Sequence, residues 1–326
     1  KFYEPKETLP PALTVTASRV QEEDISDEIE EELIFFNELG GFGQDGREYV
    51  IRLRDGKCTP MPWCNVISNS QFGFLVTESG GGYTWCKNSR QNKLTPWSND
   101  PVIDPPGEVI YLRDEDTGEV WTITPSPVRE RQSYTVRHGQ GYTVFEHTSH
   151  GLMQRQEMFV PLEHPVKISK VSLSNQSKWT KRITLTYYVE WVLGVQRHGA
   201  SQFIVTEWDK QRGALLARNA YNEEYPQRVA FIATNLPISS YTCDRTEFLG
   251  RNGSIRTPAA LRRIGLSGRT GAGYDPCGAF QVRITLEPGQ QKEIVCLLGQ
   301  GESLEEVYRI IDMYSDVERV DDELAK

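Results

Sequence analysis

The sequence predicts an all-β fold, a large antiparallel sandwich followed by a short helical segment near the C-terminus. Short runs that alternate apolar and polar residues recur along the 326-residue chain, and turns rich in Gly, Pro and Asn separate them. This pattern is typical of antiparallel sandwiches. Before about residue 300, no helical pattern of about 12 residues or more interrupts the runs. A parallel sheet built from alternating strands and helices is therefore disfavoured.

Several of these runs are predicted to pair as β-hairpins. Residues 109–113 and 120–124 flank a turn that contains Asp and Gly, and residues 134–137 and 142–147 flank a Gly-Gln-Gly turn. The longer run 181–191 alternates as a strand does, which places one set of its side chains on a single face. This set consists of Ile183, Leu185, Tyr187 and Val189.

The glycine-rich segment 40–46 (GGFGQDG) allows two interpretations. A glycine-rich loop can bind phosphate, but this one lacks the Lys-Ser/Thr ending and has no helical pattern after it. The alternating residues 49–53 follow it, and Asp45-Gly46 is a hairpin signal. We therefore predict two strands joined by a turn, with a phosphate loop as the alternative.

The periodicity changes after residue 300. Ser303 is followed three residues later by Glu306, the spacing of a capping box. Apolar residues then recur every three to four positions, at Leu304, Val307 and onward, which predicts a helix. A second short helix is predicted over 316–324, and the pair resembles a connector to a further domain.

Composition excludes several classes of function. The net charge of −9 argues against a nucleic-acid binder that relies on general electrostatics. No apolar run is long enough to span a membrane. The six cysteines form no CxxC pair, and neither they nor the HTSH segment at His147 has the spacing of a metal site. We expect reduced, mostly packed thiols in a cytoplasmic protein.

Residues 80–104 (GGGYTWCKNSRQNKLTPWSNDPVID) differ from the predicted strands around them. They combine Tyr83, Trp85 and Trp97 with many Asn, Ser, Arg and Lys residues. A pyranose ring offers apolar C–H faces for stacking on aromatic rings and hydroxyl groups for hydrogen bonding. The stretch therefore suggests a sugar-binding surface, and the alternative is an ordered loop whose aromatic side chains pack on the sheet below.

The sequence resembles a known family in three segments. These are residues 36–51 (FNELGGFGQDGREYVI), residues 59–122, which include the stretch 80–104, and residues 265–301, which include GLSGRTGAGYDPCGAF. They resemble the glycoside hydrolase family 94 region, formerly glycosyltransferase family 36, of cyclic β-1,2-glucan synthases and β-1,2-oligoglucan phosphorylases. The resemblance runs from about Leu33 to the C-terminus.

This resemblance implies a galactose-mutarotase-like β-supersandwich, a helical linker and then an (α/α)6 catalytic barrel. We expect an extension over residues 1–32, the sandwich over 33–300 and the linker over 301–326, with the barrel outside this chain. The implied reaction is an inverting phosphorolysis that releases α-glucose 1-phosphate. Inorganic phosphate is the co-substrate in place of an activated water, and the general acid is an Asp on the barrel. The chain itself is then assigned no catalytic residue, metal or cofactor, and we expect it to be inactive alone.

The resemblance also implies that a sandwich loop extends toward the barrel, in the same chain or across a homodimer, and contacts a β-glucan oligosaccharide. The stretch 80–104 is the candidate, with Trp97 as a stacking platform. Asn99 and Asp100 would bind sugar hydroxyls, supported by Arg90 and Tyr83. Each has a structural alternative: packing for Trp97, a turn cap before a proline for Asp100, a loop ion pair for Arg90 and a strand position for Tyr83.

Two other functions are compatible with the sequence. The chain could be a stand-alone carbohydrate-binding or assembly module without turnover. It could also be an enzyme of the mutarotase-like type, which uses a His and a Glu as acid and base. The candidate pairs are Glu146 with His147 and Glu163 with His164, but adjacent residues of a strand point to opposite faces, so neither pair is expected to converge.

Overall fold

The structure, a computed structural model, describes residues 9–17 and 31–326, and most of the predicted extension lies outside them. These residues form eighteen strands and four α-helices. In chain order the strands are β1 (Gly40–Phe42), β2 (Glu48–Leu53), β3 (Cys64–Ser68), β4 (Phe72–Thr77), β5 (Gly82–Cys86), β6 (Glu108–Asp114), β7 (Val120–Thr122), β8 (Tyr134–Gly139), β9 (Tyr142–Ser149), β10 (Leu152–Phe159), β11 (Val166–Asn175), β12 (Lys181–Glu190), β13 (Ile204–Asp209), β14 (Ala214–Asn219), β15 (Val229–Thr234), β16 (Ser240–Asp244), β17 (Pro276–Leu286) and β18 (Gln291–Gly301). The helices are α1 (Arg197–Ala200), α2 (Arg245–Leu249), α3 (Leu304–Tyr314) and α4 (Val317–Leu324), with 3-10 turns at Ser201–Phe203 and Ala259–Arg262.

The strands form three antiparallel sheets. The large sheet has ten strands in the order β1-β2-β8-β9-β10-β11-β18-β15-β14-β13, the second has five in the order β16-β17-β12-β6-β7, and the third has three in the order β3-β4-β5. Every pair of strands within these sheets is antiparallel. The predicted all-β supersandwich is confirmed, and so are the hairpins β1–β2, β6–β7 and β8–β9.

The main core lies between the sheets. The predicted face of β12 contributes Ile183, Leu185, Tyr187 and Val189, which are buried with apolar side chains of the large sheet such as Val171. Tyr188 points to the other side of the same strand, where it stacks on Phe248 of α2 with ring centroids 4.6 Å apart. Both faces of β12 are therefore covered, which explains its nearly continuous burial.

The C-terminal helices pack on the outer face of the large sheet. Val307 and Ile311 of α3 are buried against Phe231 of β15 and Leu297 of β18. Half of the predicted capping box is present: the Ser303 hydroxyl accepts from the Glu306 N–H at 3.3 Å, but the Glu306 carboxylate accepts from the N–H of Glu302 at 2.6 Å rather than from that of Ser303. The helix prediction is confirmed. Within the described ranges, no helix is long and apolar enough to cross a membrane.

The stretch 80–104 is not a loop throughout. Residues 82–86 form strand β5, which pairs with β4 and gives Tyr83 the strand position that the sequence left as an alternative. Thr84 and Cys86 are buried while Tyr83 and Trp85 are half-buried on the opposite face. The alternation extends over only five residues and begins at Gly82, whose φ of 137° brings its backbone against the Leu75 carbonyl. The loop that leaves the sheets therefore begins at Lys87 and ends before β6.

Candidate functional site

Three aromatic rings form a ladder on the outer face of the three-stranded sheet. Tyr83 and Trp85 of β5 have ring centroids 5.2 Å apart, and Trp97 from the following loop stacks on Tyr83 at 5.1 Å with 27° between the planes. Trp85 lies directly over Gly73, where an added Cβ would come within 2.5 Å of the indole. We refer to Tyr83, Trp85 and Trp97 as the aromatic ladder, and all three are half-buried.

The first anchor of the loop is the carboxylate of Glu108, at the start of β6. Its Oε1 accepts from the hydroxyl of Thr95 at 2.8 Å and from that of Thr84 at 2.5 Å, which holds the loop two residues before Trp97. Its Oε2 accepts from Lys167 Nζ on the large sheet, also at 2.8 Å. The free-energy cost of burying this carboxylate is offset because its oxygens accept hydrogen bonds from two hydroxyl groups and from a cation.

The second anchor is Asp104, at the end of the loop. Its Oδ2 accepts from the Thr77 hydroxyl at 2.6 Å and from the Ser79 hydroxyl. Gly81 must be a glycine for this contact, because an added Cβ would lie 2.2 Å from Asp104 Oδ1. The loop segment that carries Trp97 is thus held at both ends to the strands below it.

The predicted polar residues lie between these anchors. Asp100 Oδ1 accepts from the backbone N–H groups of Val102 at 2.9 Å and Ile103 at 3.1 Å, which is the turn-capping arrangement that the sequence left as an alternative. Asn99 is exposed and has a φ of 50°, which Asn tolerates better than most residues. Val102 is 90% exposed, so this turn forms the outermost part of the loop. Sugar binding by Asn99 and Asp100 stays a prediction.

Positive charge lies on the other side of the ladder. The Arg90 side chain is exposed, and its backbone N–H donates to Asn88 Oδ1 at 2.9 Å. Lys93 Nζ donates to the carbonyl of Val195 at 3.0 Å. Burial, and then the nearby charge of Arg90, lowers the pKa of Lys93. The structure therefore places Arg90 and Lys93 close together, on the segment that follows β5.

The ladder is an open surface rather than a pocket. A cavity of about 30 Å³ lies below it between the sheets, lined by Gly82, Glu108 and Lys167 among others. This volume is enough for about two water molecules and too small for a sugar ring. Among the described residues, no group of three or more His, Cys, Asp and Glu side chains could hold a metal ion. The geometry provides stacking and hydrogen bonding, and it does not bring together an acid and a base.

The alternative acid–base pairs do not converge. His147 faces the Ser133 carbonyl at 2.9 Å and the Glu130 carboxylate at 2.8 Å. Glu146 instead forms ion pairs with Arg137 and Arg155. In the second pair, His164 hydrogen-bonds the hydroxyl of Tyr314 at 2.8 Å, and Glu163 is exposed.

The residues that position the loop were not found from the sequence. Lys167 and Glu108 are 59 residues apart on different strands, and Asp104, in the loop, is 27 residues from Thr77 of β4. No local pattern relates such residues. The available signal was a Lys within one predicted strand and a Glu next to the start of another, because such residues are rarely buried without a partner.

Comparison with known proteins places the chain in a family. The family model of the glycosyl hydrolase 94 supersandwich domain matches residues 47–317. The chain belongs to this family. It is 39% identical over 283 residues to the cyclic β-(1,2)-glucan synthase of Rhizobium meliloti. The matched segment covers 86% of this chain and 10% of the synthase. It is 28% identical over 291 residues to the N,N'-diacetylchitobiose phosphorylase of Vibrio proteolyticus, covering 86% of this chain and 36% of that enzyme.

The chain thus spans between about a tenth and a third of the length of these two relatives. Among solved structures it is similar to a galactose mutarotase-like protein from Lactobacillus casei, with a TM-score of 0.40 and 10% identity over 73% of this chain and all of that one. The family identified from the sequence is confirmed, and the chain is the sandwich domain of a group that includes glycan phosphorylases and a glucan synthase.

Proposed function

We propose that this chain is the carbohydrate-binding sandwich of an enzyme that acts on β-1,2-glucans by inverting phosphorolysis. The observation that supports this proposal best is the aromatic ladder, which the Glu108 and Asp104 anchors hold on an open face of the domain. The similarity to a synthase named for β-(1,2)-glucan favours this linkage over others.

In this proposal Trp97 stacks on the apolar face of a glucose ring. Tyr83 supports the indole from below, and its phenol hydrogen-bonds Ser89 while burial raises its pKa. Arg90 and Asn99 are exposed and bind sugar hydroxyls. Asp100 uses Oδ1 to hold the turn and binds a hydroxyl through its other oxygen. The ladder orients the chain, and the chemistry takes place elsewhere.

The reacting groups belong to a helical catalytic barrel, in the same polypeptide or in a homodimer partner. There, phosphate attacks the anomeric carbon, and an acid protonates the leaving glycosidic oxygen. We further propose a cytoplasmic location, which the six free cysteines support.

Two measurements on the purified chain test this proposal. Calorimetric titration with β-1,2-linked gluco-oligosaccharides should show binding that β-1,4-linked chains of equal length do not match. Incubation with β-1,2-glucan and phosphate should release no α-glucose 1-phosphate. Absence of binding to any β-1,2-glucan would reject the carbohydrate role, and release of the sugar phosphate would show that the chain carries its own catalytic groups.

A further inference from the structure

A second pair of exposed aromatic rings lies outside the ladder. Phe203, at the end of the β12–β13 connection, stacks on Tyr221 of the β14–β15 connection, with ring centroids 4.6 Å apart and 30° between the planes. Tyr221 is 73% exposed and Phe203 is 36% exposed. No part of the proposed function uses this pair, and the main core does not include it.

Backbone contacts connect this pair to the ladder. Trp85 forms an isolated antiparallel bridge with Lys93, and Lys93 forms another with Gly194. In the second bridge the Lys93 N–H donates to the Gly194 carbonyl at 3.0 Å, and the Gly194 N–H donates back at 3.1 Å. Since neighbouring strands lie about 5 Å apart, these two bridges separate Trp85 from Gly194 by about 10 Å.

We refer to the backbone that these two bridges join, at Trp85, Lys93 and Gly194, as the ledge. The side of the ledge next to Gly194 holds Tyr221 in place. The Leu193 carbonyl accepts from Asn219 Nδ2 at 2.9 Å and from Asn222 Nδ2 at 3.2 Å. Asn219 Oδ1 in turn accepts from the Tyr221 N–H at 3.1 Å. The ring therefore projects from a backbone that is fixed to the same ledge as Lys93, although the ring itself is exposed.

The surface between the two aromatic groups is mostly polar, and its exposed apolar side chain is Val195 (46% exposed). It carries the Lys93 ammonium group and, close to it, the exposed guanidinium group of Arg90. The amide side chains of Gln196 and Gln202 are exposed on the segment that precedes and follows α1. Tyr, Phe and Arg are common in the core of a protein–protein interface, but Lys is rare there, and Lys93 lies between the two aromatic groups. Separate aromatic platforms with hydrogen-bond donors between them are suited to a neutral oligosaccharide, whose apolar faces alternate with hydroxyl groups.

We propose that Phe203 and Tyr221 form a second contact site for the same glucan. A chain that stacks on Trp97 continues past Lys93 and reaches Tyr221 when it is long enough. This inference rests on the proposed function, because it takes its ligand class from the ladder. It makes Tyr221 a determinant of chain-length preference rather than of binding to a single sugar.

The test is calorimetric titration of the purified chain and its Tyr221→Ala variant with β-1,2-gluco-oligosaccharides of increasing length. The variant should bind short oligosaccharides as the unchanged chain does and long ones about 2- to 10-fold more weakly, the range expected for one aromatic contact. Tyr221→Phe should retain the long-chain affinity. Trp179→Ala is the matched control, because Trp179 is 68% exposed in the β11–β12 turn at the opposite end of the sandwich.

The possible outcomes distinguish a failure of this inference from a failure of the proposed function. If Trp97→Ala abolishes binding while Tyr221→Ala leaves the length profile unchanged, the ladder is correct and the second site is wrong. If Tyr221→Ala weakens long chains but Trp97→Ala has no effect, Tyr221 contacts the glucan independently, and both the ladder and the path from Trp97 to Tyr221 are wrong. Absence of binding at every length overturns both. A change in self-association of Tyr221→Ala by sedimentation, with an unchanged length profile, would make the pair a protein contact and overturn the inference.

Discussion

Glu108 and Lys167 form an ion pair of 2.8 Å across the two main sheets, and their side chains are only 9% and 6% exposed. Lys167 Nζ also lies 4.4 Å from the centroid of the Phe74 ring on the third sheet. Because the same Glu108 carboxylate accepts from Thr84 and Thr95, one buried charge couples all three sheets to the loop that carries Trp97. The position of the proposed binding surface therefore depends on the interior of the sandwich.

Removing one partner of the Glu108–Lys167 ion pair should destabilise the fold. Lys167→Met leaves the Glu108 carboxylate buried without its cation, and we expect a loss of about 3–5 kcal/mol in the free energy of unfolding. The double variant Glu108→Gln/Lys167→Met leaves neither charge of this pair buried and should recover part of this loss. Urea unfolding of Lys167→Met, of Glu108→Gln and of the double variant measures the coupling between the two side chains. A loss below about 1 kcal/mol for Lys167→Met would mean that the pair is solvated.

Low pH should lower the free energy of unfolding through protonation of the Glu130 carboxylate. Burial alone would raise the pKa of this carboxyl group, but hydrogen bonds from His147 and His150 lower it to about 2 from its ordinary value of 4.5. A carboxyl group with a depressed native pKa stabilises the fold above its unfolded pKa, and this contribution disappears as pH falls from about 4.5 to about 2. It amounts to a few kcal/mol.

The Glu130→Gln variant tests this sign. It should be less stable at neutral pH, and its stability should depend less on pH between about 4.5 and 2 than that of the unchanged chain. Glu163→Gln, which removes an exposed carboxylate, should stay within about 0.5 kcal/mol of the unchanged chain at neutral pH. If Glu130→Gln loses as much stability between about pH 4.5 and 2 as the unchanged chain does, the pKa of Glu130 is not depressed in the folded state.

The six cysteines should divide into two reactivity classes. Cys58 and Cys64 are exposed, and the other four are buried. Burial raises the pKa of Cys86 to about 11 and that of Cys243 to about 12, and burial also raises those of Cys277 and Cys296. The pKa of the exposed Cys64 is raised too, by partial burial and then by the charges of Asp104 and Glu78, so access of the reagent decides the division. Because the thiolate is the reactive form, Ellman's reagent should titrate the two exposed thiols in the native chain and the other four after unfolding. Fast reaction of more than two native thiols would contradict this division.

Local patterns predicted most of the fold. The alternation in β12, the turn between β6 and β7 and the Ser303 capping box each depend on neighbouring residues, which a sequence displays directly. Strand β5 was predicted only as an alternative position for Tyr83, because its alternation is short and begins at a glycine. The anchors of the loop, and the ledge that connects Trp85 to Gly194, depend on residues that are distant in sequence and adjacent only after folding. The family resemblance indicated where the binding surface lies, and packing explains why it keeps its shape.

The central claim is that Trp97 is a stacking platform for a β-1,2-glucan. The most direct test is calorimetric titration of the chain and its Trp97→Ala variant with one β-1,2-gluco-oligosaccharide, with Trp179→Ala as the control for loss of an exposed indole. We predict that Trp97→Ala weakens binding by about 10-fold or more, the upper range for loss of one aromatic contact, and that the control binds normally. Equal affinity of Trp97→Ala and the unchanged chain would show that the indole only packs on Tyr83 and would contradict the claim.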